Sequence, residues 1–139
     1  MHKSFLGILT LLMLVSGCFF ETKEHIIFEC LSQDGSYLAE SVVSQGGGAA
    51  GAQYVHVFIG ETGDKQFRSV VLTTSTSNKM VLNWDNRNNL SISVADSVKI
   101  HQFKNYFDDA RYWNKQDSGN VSFQYKPFKK SEKASLCIN

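Results

Sequence analysis

Proline is almost missing from this chain of 139 residues, which has one, and charge of a single sign is missing altogether. Lysine and arginine number 14 against 13 acidic residues, for a net charge of +1. One of those cations, Lys3, lies in an N-terminal leader, so the remainder of the chain is neutral. A neutral chain has no long-range field to concentrate nucleic acid, which removes that partner class. No apolar run approaches the roughly twenty residues a spanning helix needs. No long amphipathic helical pattern occurs, and no Ser/Gly/Pro stalk separates the leader from the rest of the chain.

Signatures of chemistry are missing as well. The histidines beyond the leader, His25, His56 and His101, fall on three separate segments, with no H-x-H, H-E-x-x-H or C-x-x-C spacing. No G-x-S-x-G occurs, and no free cysteine stands beside a base. Asp108 and Asp109 are adjacent, but neighbouring side chains on an extended loop point apart, and Arg111 would hold at least one ionised. A glycosidase needs carboxyl groups about 5–5.5 or 6.5–9.5 Å apart across a cleft, which adjacency does not supply. The glycine-rich run 46–51 lacks the G-K-[ST] ending of a phosphate loop, and no helix follows it. It reads as a loop or bulge whose backbone can approach a partner closely. The expectation is a protein that is not an enzyme and has no cofactor and no metal.

What is present begins at the N-terminus. Lys3 precedes an apolar run of about eleven residues, 5–15, followed by small residues. A positive start, a short apolar run and a small-residue exit are the parts of a secretory signal. Val15-Ser16-Gly17-Cys18 resembles the bacterial lipobox, in which an aliphatic and two small residues precede a cysteine. That resemblance implies diacylglycerol on the Cys18 thiol and cleavage just before it. Residues 1–17 are then a lipoprotein signal peptide and 18–24 a lipidated N-terminus with a short linker. Residues 25–139 form a single β-rich domain. Two or more acyl chains give stable membrane anchoring where one does not. Phe19, in place of an inner-membrane-retaining Asp, points by the same resemblance to the outer membrane, facing the periplasm.

With Cys18 acylated, Cys30 and Cys137 remain as an even pair, which in an oxidising envelope reads as a disulfide. It would close a loop of about a hundred residues, worth up to roughly 4.7 kcal/mol in the chain-entropy model. Its expected effect is to pin the first strand to the last segment.

The domain itself reads as consecutive strands between turns. Residues 25–32 carry Ile26, Phe28 and Cys30 on one face, and Asp34-Gly35 marks a hairpin turn into residues 37–44. Residues 53–60 are apolar on both faces, as in a central strand. Further strands are expected over residues 67–74, 79–84, 90–95, 97–103 and 121–126; the cleanest alternation is Leu90, Ile92 and Val94 against Ser91, Ser93 and Ala95. Residues 105–114 read as an aromatic-rich loop or single helical turn. The predicted fold is all-β: a small antiparallel meander, sandwich or open barrel of about seven to eight strands, stapled by one disulfide.

Three segments carry a family resemblance. Ser32-Gln33-Asp34-Gly35-Ser36-Tyr37-Leu38-Ala39, the glycine-rich step through Val57, and Val81-Leu82-Asn83-Trp84 with Leu90-Ser91-Ile92 are similar to elements of small, mostly uncharacterised bacterial lipoproteins. Gln33 stands where those sequences have Pro. The resemblance implies a compact β-rich lipoprotein and brings no functional residues with it.

The remaining candidates for binding are aromatic and charged. Tyr106, Arg111, Tyr112 and Trp113 are the residue types that dominate protein-binding hot spots, and aromatics also stack on sugars. Phe107 joins them in sequence; as a group these aromatics could instead cap one end of the core. Lys126, Lys129, Lys130 and Lys133 read as a solvated face or, with Cys137 pinned near the first strand, as one that meets anionic lipid headgroups. The functional expectation is an envelope lipoprotein that binds another protein at the membrane surface, as an inhibitor or immunity protein does. The alternative is a cell-wall glycan- or ligand-binding module.

Overall fold

The computed structural model describes residues 23–46, 51–66, 68–75, 79–107, 119–128 and 135–138. Ten strands occur among them: β1 (Lys23–Leu31), β2 (Tyr37–Gln45), β3 (Gln53–Glu61), β4 (Ser69–Ser75), β5 (Met80–Trp84), β6 (Leu90–Ala95), β7 (Ile100–Phe103), β8 (Tyr106–Phe107), β9 (Gly119–Lys126) and β10 (Ser135–Ile138). They form two five-stranded sheets, ordered β1-β2-β3-β4-β7 and β10-β5-β6-β9-β8. The first is antiparallel throughout. The second is mixed, because β10 runs parallel to β5 and β9 parallel to β6.

The all-β class, the sandwich and the disulfide agree with the sequence; the strand count does not. The two extra strands, β8 and β10, are two and four residues long, too short to show an alternation. β1 starts at Lys23, inside the residues read as linker. A bulge between Ile26 and Phe28 also breaks the expected face. Phe28 and Cys30 turn inward, whereas Ile26 pairs with Val42 on the outer face and is 47% exposed. A bulge inserts one unpaired residue and so reverses the alternation across it.

Local chemistry sets the turns. Gly35, at φ 75°, lets the β1–β2 turn close with Ser32 N–H donating to Tyr37 O at 2.8 Å. In the β5–β6 turn Asn88 takes φ 57°, a left-handed conformation that asparagine tolerates. Asp85 caps that turn, accepting from the amides of Arg87 at 2.8 Å and Asn89 at 2.9 Å. The two turns meet, because Asn88 Nδ2 donates to Asp34 at 3.0 Å.

Between the sheets lies one apolar core. Val55, Val57, Ile59, Val71 and Leu72 of the first sheet face Leu82, Trp84, Leu90, Ile92 and Val94 of the second. Trp84 is 1% exposed, and its indole N–H donates to the Cys30 carbonyl at 3.0 Å, so even the ring's polar atom is satisfied. Cys30 and Cys137 are disulfide-bonded with Cα atoms 5.2 Å apart, joining β1 to β10, the edge strands on one side of both sheets.

A closed loop of 107 residues' separation constrains the unfolded chain strongly. Replacing both cysteines by alanine should lower the unfolding free energy by about 2–5 kcal/mol, read from urea midpoints at unchanged slope. An unchanged midpoint would show that the bridge adds nothing to stability.

Candidate functional site

The outer face of the first sheet carries the densest polar chemistry. Glu40 on β2 stands directly opposite Glu29 on β1, and like charges so placed repel. Two cations from the β3–β4 connection resolve this. Lys65 Nζ lies 3.2 Å from both Glu29 and Glu40, and Arg68 bridges Glu40 and Glu24 at 2.9 Å each. The Arg68 guanidinium also lies 4.1 Å over the Phe58 ring, which fixes its plane. Only 4% of the Glu40 side chain is exposed. Burial pushes the Glu40 carboxyl up, but the hydrogen bond from Arg68 and the Lys65 charge outweigh it, so its pKa falls below the ordinary value of 4.5. Lys65 is raised, chiefly by its hydrogen bond to Glu29. Lys65 is well exposed, so water screens its pairs; the pair that matters energetically is Arg68–Glu40.

Beside this chain of charges lies a histidine held by two hydroxyls. His56 Nε2 is 2.8 Å from Ser44 Oγ, and Nδ1 is 3.0 Å from Thr73 Oγ1. The three residues are cross-strand neighbours or near neighbours on β2, β3 and β4. Burial lowers the His56 pKa below 6.5, with the Glu24 carboxylate pushing the other way, so the ring is neutral at pH 7. Ser44 is 7% and Thr73 9% exposed, and no carboxylate orients the ring. The geometry holds an imidazole in place; it does not present an accessible nucleophile.

The residues singled out by sequence are distributed differently. Cys30 and Cys137 form the edge disulfide. Tyr106 is half-buried on β8, with Lys104 Nζ 4.3 Å from its ring centroid. Its neighbour Phe107 is core: 1% exposed, edge-on to Tyr37 at 4.9 Å and to Trp84 at 6.1 Å. Strand alternation thus divides the aromatic segment between surface and core. Phe107 pairs with Gly119, where an added Cβ would meet the Phe107 ring at 2.6 Å. Cys18, Asp108, Asp109, Arg111, Tyr112, Trp113, Lys129, Lys130 and Lys133 lie outside the described residues, as do 47–50 of the glycine-rich run. Lys126 ends β9, 5.3 Å from the Phe128 ring centroid. Among the described residues no group of three or more His, Cys, Asp or Glu is placed to hold a metal ion. An open cleft of about 400 Å³ is lined by Lys79, Ala95, Asp96, Ser97, Pro127 and Phe128.

No protein-family model, curated protein or solved structure matches this chain.

The charge network has only one local signal in the sequence. Once Asp34-Gly35 is taken as the hairpin turn, counting outward sets Glu29 against Glu40. The cations come from another hairpin, and only the folded sheet brings them close. Arg68→Ala should cost about 3 kcal/mol, since it leaves a buried carboxylate with one exposed partner. Because the Glu40 pKa is depressed, its stabilisation is present above pH 4.5 and lost as pH falls below that value; Arg68→Ala should move this acid loss upward. His56 contributes stability that is full above pH 6.5 and declines as pH falls below it. A urea series across this range should show that decline in the parent protein and not in His56→Gln.

Proposed function

We propose that this chain is a lipid-anchored lipoprotein of the bacterial envelope that binds another protein at the membrane surface. In this reading Cys18 carries the acyl chains, the domain faces the periplasm from the outer membrane, and the bound protein is restrained rather than chemically altered. An inhibitor or immunity protein acts in this way.

The observation that carries the reading is the strand order. β1 begins at Lys23, five residues after Cys18, and is the edge strand of the first sheet. Five extended residues reach about 17 Å, so Lys23, where β1 begins, lies within that distance of the anchor. β8, with Tyr106, is at the far edge of the second sheet from β10. Four strand spacings separate β8 from β10, about 19 Å. The segment carrying Arg111, Tyr112 and Trp113 begins after Phe107 and returns at Gly119, which pair at that far edge. The described residues that follow the anchor and those that flank the 108–118 segment therefore belong to opposite edges, which supports a partner held away from lipid.

A second reading, a cell-wall glycan-binding module, draws on Tyr54 and exposed His101, whose rings meet edge-to-face at 5.2 Å. One experiment separates the two. A photoreactive amino acid at position 113 is introduced in the lipidated protein in intact cells, with position 97 as control. A discrete protein adduct from position 113 alone supports the partner reading. Adducts from neither position, together with sedimentation on isolated peptidoglycan that Tyr54→Ala abolishes, would replace it with the glycan reading.

A further inference from the structure

We propose that the β1/β10 edge of the sandwich is a bilayer-contacting surface whose apolar side chains rest in the phospholipid interface beside the anchor. The proposal rests on the lipid-anchor reading above and adds to it an orientation of the domain.

Five large hydrophobic side chains are exposed among the described residues, and four of them are on this edge. Ile26, Ile27 and Leu31 on β1 are 47%, 42% and 40% exposed, and Ile138 on β10 is 44% exposed. The fifth, Tyr125, is on β9. Single exposed hydrophobics are ordinary; their concentration on two strands joined by a disulfide is what calls for a cover. Soluble edge strands are commonly protected by charge. Here Glu24 and Glu29 of β1 share Arg68 and Lys65 with the adjacent Glu40 of β2, and Lys23 at the start of β1 supplies the third cation, so the corner carries no net charge. The strand can therefore approach anionic headgroups without presenting unscreened negative charge.

Chain length argues for the bilayer as the occupant. Ile26 and Ile27 follow Cys18 by eight and nine residues, so no conformation carries them more than about 30 Å from the anchor. A second copy adding its own strand is disfavoured by the bulge between Ile26 and Phe28, which interrupts the edge ladder where the isoleucines stand. The same orientation turns β8 away from the lipid.

The test uses the full-length lipidated protein in phosphatidylethanolamine/phosphatidylglycerol vesicles. Benzoylphenylalanine replaces Ile27, Ile138 or, as the control on β9, Ser122. Anchoring is read separately, by flotation and by the mass of the Cys18 peptide, and folding by the Cys30–Cys137 linked peptide. Irradiation should give phospholipid adducts from positions 27 and 138 and none from 122. Protein that floats with acylated Cys18 yet gives no lipid adduct at 27, or a protein adduct of twice the chain mass, overturns the proposal and leaves the anchor standing. An unmodified Cys18 in protein that fails to float overturns both.

Discussion

The Cys30–Cys137 bridge is the constraint on which this architecture turns. It joins the edge strands on one side of two sheets that pack chiefly by apolar contact, and apolar contact alone is not directional. Two further ties act with it. The Trp84 indole donates to the Cys30 carbonyl, and Asn88 donates to Asp34 between the β5–β6 and β1–β2 turns. Hydrogen bonds from Asn88, Ser36 and Ser32 hold the Asp34 carboxyl far below the usual carboxylate range. The sheets are thus registered along one edge and at one end, and the core between them needs only to fill the space.

That edge has consequences for charge. β1 is paired on one side only, and it carries Glu24 and Glu29 beside the buried Glu40 of β2. Without compensation three carboxylates would gather on one outer corner. Arg68 and Lys65 reach over from the β3–β4 connection and tie the edge strand inward. Removing Arg68 is a larger loss than removing Lys65, because the Arg68 pair is partly desolvated and its plane is set by Phe58.

Several elements were legible in the sequence because one local rule decided them. β6 alternates strictly, Gly35 sits where positive φ is needed, and β3 is apolar on both faces because it is the middle strand of its sheet. Cysteine parity identified the bridge. The rest depends on non-local pairing. Nothing in residues 135–138 shows that they lie parallel to β5, and nothing in β9 shows that it lies parallel to β6. The β1 bulge moved Ile26 from an expected core position to the surface. Of the candidate site, Tyr106 and Phe107 looked alike as aromatics, and pairing with Asn120 and Gly119 separated their roles. The His56 and Glu40 networks draw on three or four elements each, which no spacing rule along the chain encodes.

The bridge of Cys30 and Cys137 and the lipid proposed for Cys18 give the three cysteines two fates, the fold and the anchor. Mass spectrometry of unreduced protein extracted from membranes tests this directly. The expected result is an N-terminal peptide that begins at an acylated Cys18, together with a Cys30–Cys137 linked peptide. A Cys18 that is free, or bridged to either of the other two, would contradict the account.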